Sequence, residues 1–223
     1  MVELLRSPWD TRFDRLLTEA RSSLVLCSPF IGRGPCERIS RNVAPNASRG
    51  FEVSVLTDLS RDNILSGSTD VAALSDLVKA IPSTTVRFLP SLHAKVYIAD
   101  ERQAIVTSGN MTDSGLVRNF EYGVFFSEPE TVRAIRQDVL EYTSLGSPID
   151  GSQLANFAAV VGELREMRQA ADRQIRSRLR REFDRRLRKV DDEILSARAA
   201  GRTAHAIFAD AIRTCLPFFP VMS

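Results

Sequence analysis

The stretch LHAKVYIADERQAIVTSGNMT, residues 92–112, decides the fold. It contains two strand-like segments, AKVYIA and AIVTS, joined by the short polar turn DERQ, which predicts an antiparallel hairpin. His93 and Lys95 are two residues apart, so the alternation of a strand puts both on one face. Ser108 and Asn110 have the same spacing at the end of the second segment. The four side chains are therefore expected to converge.

These side chains would bring together an imidazole, an ammonium, a hydroxyl and an amide, with no pair of carboxylates to hold a metal. Phosphoryl transfer without a metal needs a nucleophile, a fixed cation for the phosphate oxygens and neutral donors. His93 is the candidate nucleophile and Lys95 the candidate cation, while Ser108 and Asn110 are the candidate phosphate ligands. We expect neither a metal nor another cofactor.

The same string resembles the HxK(x)4D(x)6GSxN motif of the phospholipase D superfamily. Asp100 occupies the acidic position of the motif, and Thr107 stands where the family usually has glycine. An early strand that ends in Ser28 and Pro29 also resembles the family pattern. The resemblance covers roughly residues 1–145 and implies a mixed β-sheet flanked by helices, an α/β sandwich.

By this resemblance, His93 attacks the phosphorus and forms a phosphohistidine, while a histidine from a second motif protonates the leaving oxygen and then activates water. The chain has one motif, and its other histidine, His205, has no lysine two residues on. A second subunit is therefore expected to supply the second catalytic histidine, with the active site at the two-fold interface of a homodimer.

Glu121 resembles the acidic residue that orients the catalytic imidazole in single-motif bacterial endonucleases and in the nuclease domain of a metal-independent restriction enzyme. In that role Glu121 belongs with His93, Lys95 and Asn110 as a catalytic residue. The alternative is a cross-strand partner for an arginine or lysine.

Other polar residues have plainer structural explanations. Asp100 follows the strand, away from the phosphate, and is expected to form an ion pair or cap the turn. IGRGP, residues 31–35, lacks the lysine and hydroxyl of a P-loop, so an ordinary turn is predicted, with Arg33 available to line the cleft. His205 is expected to be structural, and Asp58 to be at most a neighbour of the site.

Strand-like and helix-like segments alternate before the motif. SLVLCS, FEVSVLTD and TTVRFL are typical of buried strands, and STDVAALSDLVKA of a helix. The opening segment also predicts a helix, with Ser7 as its N-cap and Pro8 in its first turn. After the motif, FEYGVFF predicts a strand and EPETVRAIRQDVLEY a closing helix. Alternation first and hairpins later predict a mixed α/β sheet.

Composition changes at TSLGSPIDGS, residues 143–152, which is rich in serine, glycine and proline. This change predicts a boundary between a catalytic domain at 1–145 and a basic helical appendage at 152–223. In the appendage, apolar residues recur every three or four positions from Leu154 to Ile194, forming one stripe on a charged helix.

The appendage has a strong local charge although the chain as a whole carries only +2. Between Arg165 and Lys189 there are eleven Lys or Arg against four Asp or Glu. The apolar stripe favours packing on the core or on a partner copy. The charge favours contact with nucleic-acid phosphates, for which Arg176, Arg180 and Arg181 are the candidates. The two interpretations are compatible.

The overall composition, 223 residues and 43% hydrophobic, supports a folded protein with a sizeable core. There is no apolar run of about 18 residues and no signal-peptide pattern, so we expect a cytoplasmic protein without membrane insertion. Cys27, Cys36 and Cys215 lack CxxC spacing and are expected to be buried or incidental thiols. The apolar ending PFFPVMS favours continuation of the native protein into another domain.

Three functions are compatible with these features. The first is a nuclease that hydrolyses DNA without a metal, within restriction or phage defence. The second is a lipid phosphodiesterase or phosphatidyl transferase, whose relatives mostly carry two motifs per chain. The third is a non-catalytic dimerisation or nucleic-acid-binding module, against which the intact His, Lys, Ser and Asn argue. No motif indicates sequence preference, strandedness or a partner protein.

Overall fold

The strands of the protein form one mixed sheet. The computed structural model describes residues 2–46 and 50–199. Within them the strands are β1 (Val2–Arg6), β2 (Ser23–Cys27), β3 (Glu52–Thr57), β4 (Thr84–Phe88), β5 (Val96–Ala99), β6 (Gln103–Thr107), β7 (Tyr122–Phe126) and β8 (Ser147–Ile149). Their order is β1-β7-β6-β5-β2-β3-β4-β8. The neighbours β2, β3 and β4 run parallel, and every other neighbouring pair is antiparallel.

Helices cover both faces of this sheet. Their bounds are α1 (Asp10–Glu19), α2 (Arg33–Val43), α3 (Arg61–Ser66), α4 (Val71–Ala80), α5 (Pro129–Leu145) and α6 (Gly151–Ala199), with a 3-10 turn at Ala44–Asn46 and a π-helical turn at Ser114–Arg118. The larger core cluster takes its α-helical side chains from α1, α2, α3, α4 and the start of α6, and the smaller one from α5.

The period of two along β2 shows how the sheet separates these two layers. Leu24 and Leu26 belong to the larger cluster, and Val25 and Cys27 to the smaller. Successive side chains of a strand point to opposite faces, so a strand that is apolar throughout has to be covered on both. The predicted fold class, a mixed sheet flanked by helices, is confirmed.

The start of the chain differs from the prediction. Residues Val2–Arg6 form the edge strand β1 paired with β7, and the first helix begins only at Asp10. Ser7 is not an N-cap, because its hydroxyl accepts a hydrogen bond from the Glu121 backbone N–H at 2.8 Å. The sequence signal of a serine followed by proline was overridden by pairing with a strand far along the chain.

Three local details also differ. The predicted helix in STDVAALSDLVKA begins at Val71, capped by the Asp70 carboxylate, which accepts from the Ala73 N–H at 3.0 Å. A short helix that was not predicted, α3, lies between β3 and α4. Within residues 143–152, strand β8 pairs with β4, so this segment contributes to the sheet.

The chain divides into two compact units, the first ending at Glu166. Leu154 and Val161 of α6 are buried in the core of the first unit. In the second unit, α6 continues to Ala199, and the apolar stripe is exposed on it at Ile175, Leu179, Phe183 and Leu187. The domain limits predicted from sequence remain a prediction, and the last short helix and apolar ending lie outside the described residues.

No helix in the described part of the chain combines the length and apolarity needed to cross a bilayer. Cys27 and Cys36 are buried free thiols. Burial raises the pKa of each thiol to about 12, which leaves them protonated and unreactive near neutral pH. Cys215 lies outside the described residues.

Candidate active site

The candidate site lies at one edge of the sheet, where β5 begins, β6 ends and β7 begins. The β5–β6 hairpin sets this arrangement, with Val96 opposite Val106. Just beyond that pair, the Thr107 N–H donates to the Lys95 carbonyl at 3.1 Å. The Ser108 N–H donates to the Tyr122 carbonyl at 3.0 Å, which joins the third segment.

His93 and Lys95 contact each other just before β5. Lys95 Nζ lies 3.2 Å from His93 Nδ1 and 3.1 Å from Nε2, and it donates to the His93 carbonyl at 2.7 Å. The His93 ring is exposed, whereas Lys95 is only 7% exposed. Because an ammonium can only donate, the imidazole nitrogen that accepts from it is the unprotonated one, and a nucleophilic imidazole must likewise have an unprotonated nitrogen.

The charge of Lys95 depends on burial. Removal from water lowers the pKa of its ammonium, and the negative charge of Glu121 partly opposes this shift. A buried cation held beside an exposed imidazole suits the binding of a phosphate oxygen at the moment of attack.

Ser108 and Glu121 also meet. The Ser108 hydroxyl donates to Glu121 Oε2 at 2.5 Å, and the Asn119 amide donates to Oε1 at 3.0 Å. The Tyr122 N–H donates to Ser108 Oγ at 3.1 Å, so the hydroxyl is held from both sides. Within the described residues, Glu121 is thus bound by Ser108 and Asn119 and not by His93.

Asn110 lies in the loop that follows β6, and its Oδ1 is buried with no hydrogen-bond partner in the described part of the chain. A glycine pair shapes this loop. A Cβ on Gly115 would lie 2.2 Å from the Asn110 carbonyl oxygen, and one on Gly109 would lie 2.8 Å from the Gly115 carbonyl oxygen. The close approach of the two backbone segments therefore requires glycine at both positions.

Two aromatic side chains hold this loop in place through hydrogen bonds to its backbone. Tyr97 is fully buried and donates to the Gly109 carbonyl at 2.9 Å, while Trp9 Nε1 donates to the Gly115 carbonyl at 2.7 Å. The two rings pack on each other, 5.6 Å between centroids. At the end of β2, Ser28 Oγ accepts from the Met111 N–H at 3.0 Å.

Sequence reasoning missed several of these supporting residues. Trp9 and Ser7 reach the site through contacts that join distant parts of the chain, and such contacts leave no local pattern. Asn119 is the exception, because its position two residues before the candidate catalytic Glu121 is a local signal that could have found it.

Asp100 lies at the opposite end of β5 from His93. Its carboxylate accepts hydrogen bonds from the backbone N–H groups of Arg21, Ser22 and Ser23 and from the Ser22 hydroxyl. Burial opposes its ionisation, but these bonds together outweigh burial and lower the pKa of the carboxyl.

The remaining candidates lie apart from this cluster. Arg33 forms ion pairs with Asp70 and Asp76 at 3.4 and 3.6 Å, and Asp58 accepts from the Ser60 N–H. His205 lies outside the described residues. No three His, Cys, Asp or Glu side chains in the described ranges, 2–46 and 50–199, are grouped to hold a metal ion.

The three candidate arginines belong to the second unit and are exposed on α6. Arg176 and Arg180 are four residues apart and so are neighbours on one side of the helix, whereas Arg181 is turned about 100° from Arg180. The Arg181 guanidinium donates to the Ser177 carbonyl at 3.2 Å.

Comparisons with known proteins identify a matching family and several similar solved structures. A family model described as cardiolipin synthase, PLD-like domain, matches residues 13–142. Nuc of Salmonella typhimurium, described as a phospholipase D family member, is similar in structure with a TM-score of 0.55 at 19% identity, over 67% of this chain and 97% of its own. NucT of Helicobacter pylori gives a TM-score of 0.53 at 18% identity, over 67% of this chain and 99% of its own.

A phosphatidylserine synthase of Haemophilus influenzae Rd KW20 is also similar in structure. Its TM-score is 0.59 at 13% identity, over 80% of this chain and 46% of its own. No protein of curated function matches the chain in sequence. At these identities the structural likenesses establish the fold, and the site must be argued from its own residues.

Proposed function

The chain belongs to the phospholipase D superfamily by the match of residues 13–142 to the PLD-like domain family, and from this premise we propose that it hydrolyses DNA phosphodiester bonds without a metal. A phosphodiesterase-type function is supported by the family itself. The observation that carries the finer proposal is the contact of the exposed His93 ring with the buried Lys95 ammonium.

The first step is attack of a His93 ring nitrogen on phosphorus. A new N–P bond forms as the P–O bond to the leaving group breaks, and the leaving oxygen takes a proton from a second histidine. Lys95 binds a non-bridging oxygen, and the Asn110 amide is a proposed further donor. The Ser108 hydroxyl is another, once its one hydrogen turns from Glu121 to the phosphate. These contacts neutralise the charge that develops on the phosphate.

The second step is hydrolysis of the phosphohistidine. The second histidine, now neutral, takes a proton from water, and the resulting oxygen attacks phosphorus and breaks the N–P bond. In this scheme Glu121 orients the catalytic imidazole and stabilises its cationic form. That role requires a contact with a histidine in addition to the hydrogen bonds that Glu121 makes with Ser108 and Asn119.

The second histidine is proposed to come from a second copy of the chain. His93 is the one histidine within the described residues, and His205 falls outside them. A homodimer that places two His93 side chains at one two-fold interface meets the chemical requirement with a single motif per chain.

Arg176, Arg180 and Arg181 are proposed to bind phosphates beyond the scissile one. Removing one cation that binds a phosphate lowers the salt dependence of binding by nearly one unit of slope. Changing all three to glutamine should therefore flatten the dependence of log Kd on log salt by roughly two to three units. The same changes at the exposed Arg15, Arg41 and Arg133 are the charge-matched control, and an equal slope in the two triple variants would contradict the assignment.

Phosphatidyl transfer is the second candidate, favoured by the description of the matching family model. Parallel assays separate the two functions: labelled DNA, single- and double-stranded, and phosphatidyl lipid vesicles, each in excess EDTA. We expect wild-type protein to cleave DNA and His93→Ala to leave it intact. Release of a lipid headgroup without DNA cleavage would reverse the order of the candidates, and binding without turnover would leave the non-catalytic module. A place in restriction or phage defence follows only if DNA is cleaved.

A further inference from the structure

Two aromatic residues flank Glu121 in the chain, and the rings of both are exposed to solvent. Phe120 is fully exposed, and Tyr122 is 51% exposed. Phe120 directly precedes Glu121, which accepts a hydrogen bond from Ser108, and the Tyr122 N–H donates to the same hydroxyl. A single backbone segment therefore links both rings to a candidate phosphate ligand.

Two exposed arginines accompany these rings. Arg6 lies opposite Tyr122 in the β1–β7 pair, with its guanidinium carbon 5.9 Å from the ring centroid, within cation–π range. Arg118 is two residues before Phe120 and donates to the Ser114 hydroxyl, which carries no charge. Aromatic faces interleaved with cations are typical of surfaces that bind single-stranded nucleic acid.

A second copy of the chain fits this surface less well. A two-fold contact centred on this surface would be isologous and would bring Arg6 and Arg118 of each copy towards those of its partner. The carboxylates of the same segments are already engaged, Glu3 with Arg12 and Glu121 with Ser108 and Asn119. The surface is thus left with positive charge, which favours a polyanion over a like-charged copy.

Resting on the function proposed above, we propose that Phe120 and Tyr122 stack on bases next to the scissile phosphate, with Arg6 and Arg118 binding the neighbouring backbone. The face of a base is free for such stacking where the strand is not held in a duplex. This surface therefore selects single-stranded nucleic acid as the substrate class. Phe120 acts as a specificity-determining residue and takes no part in bond cleavage.

Binding to the catalytically silent His93→Ala protein tests this without depending on turnover. The probes are a labelled oligothymidylate and an oligomer of equal length made of abasic units, which keeps the phosphates and lacks the bases. We expect the parent to prefer oligothymidylate about tenfold by fluorescence anisotropy. Phe120→Ala should lose most of this preference, and Phe120→Trp should keep it. Phe157→Ala, an exposed phenylalanine on α6, is the matched control and should keep the parent's preference.

The same preference in the parent and in Phe120→Ala, or no measurable binding by the parent, would overturn the inference. Sedimentation velocity of the same proteins supplies the other decisive outcome. If Phe120→Ala converts an oligomer to a smaller species, the surface is a contact between copies and the inference is wrong. The proposed function fails separately, when wild-type protein does not cleave DNA in EDTA although the preference for bases is intact.

Discussion

Lys95 is the most buried of the four motif side chains, and its surroundings set its charge. Burial lowers the pKa of its ammonium more than the charge of Glu121 raises it. The folded protein therefore releases this proton at a lower pH than a solvent-exposed lysine. A cation that is needed to bind phosphate is thus itself a pH-sensitive part of the site.

We expect Lys95→Arg to move the alkaline limit of the remaining activity to higher pH. In the wild type, activity should fall as pH rises through the lowered lysine pKa, before the ordinary value of about 10.4 is reached. Arginine remains charged throughout this range. The measurement is kcat/KM for a small phosphodiester against pH, with the exposed Lys79→Arg as control. An alkaline limit at the same pH in all three proteins would contradict the role of Lys95.

Asp100 carries a different kind of charge, one that serves the fold. Its carboxylate accepts backbone hydrogen bonds from Arg21, Ser22 and Ser23, which lie at the start of β2 and directly before it. The pKa of this carboxyl is lower in the folded protein than in the unfolded chain. Its stabilising effect is therefore present above the ordinary carboxyl pKa and is lost as pH falls through the folded-state value.

Asp100→Asn should lower the free energy of unfolding by about 2 kcal/mol near neutral pH, because the charged acceptor of these backbone hydrogen bonds is removed. The difference from the wild type should shrink at an acid pH below the lowered folded-state pKa, where the carboxylate of the wild type gains its proton. Urea unfolding at the two pH values checks this, with the exposed Asp62→Asn as control. A deficit that is equal at both pH values would show that charge is not the cause.

At the scale of elements, the π-helical turn Ser114–Arg118 holds Asn110 in place. Gly115 of this turn approaches the Asn110 backbone more closely than any side chain permits. Trp9 fixes the other side of the turn through its bond to the Gly115 carbonyl. The position of a candidate phosphate ligand therefore depends on a glycine five residues away.

Gly115→Ala should displace Asn110 and lower activity by up to about a hundredfold, the effect that a misplacement of about 1 Å can have. It should also destabilise the protein by about 1–3 kcal/mol through overpacking. Gly162→Ala is the control, since a Cβ there meets open space inside a helix and should stabilise by about 0.5–1 kcal/mol. Phosphodiester turnover and urea unfolding measure the two effects. Full activity in Gly115→Ala would mean that Asn110 tolerates movement.

The elements that could be predicted are those with a local pattern. The β5–β6 hairpin follows from its short polar turn and period of two, and β2 from its uninterrupted apolar run. Strand β1 has no such pattern: Val2 and Leu4 are exposed and Leu5 is its one buried residue. It is held by pairing with β7, more than a hundred residues away, which a helix-like cap at Ser7 and Pro8 concealed.

The candidate site divides in the same way. The spacing of His93, Lys95, Ser108 and Asn110 was sufficient to predict one shared edge of the sheet, because hairpin geometry is local. The contact of Glu121 with Ser108 and Asn119 was not predictable, since it depends on how β7 begins after the π-helical turn. The exposure of Phe120 likewise emerges only from the folded chain.

At the scale of the whole molecule, the proposed homodimer makes a quantitative prediction. If each active site needs His93 from both copies, one His93→Ala subunit silences the dimer that contains it. After subunit exchange, activity in mixtures should fall as the square of the wild-type fraction. A linear decline would mean that each chain works alone. A mixture with Phe157→Ala in place of the inactive variant is the control and should show no decline.

The central claim is that His93 becomes covalently bound to phosphorus, and trapping that species tests it most directly. Wild-type protein is mixed with single-stranded DNA in excess EDTA, quenched in alkali after milliseconds to seconds, and digested for peptide mass analysis. The account predicts a nucleotide joined through its phosphorus to a His93 ring nitrogen. This adduct should disappear as product forms and be absent from His93→Ala. DNA cleavage by His93→Ala, or cleavage by the wild type with the adduct on another residue, would contradict it.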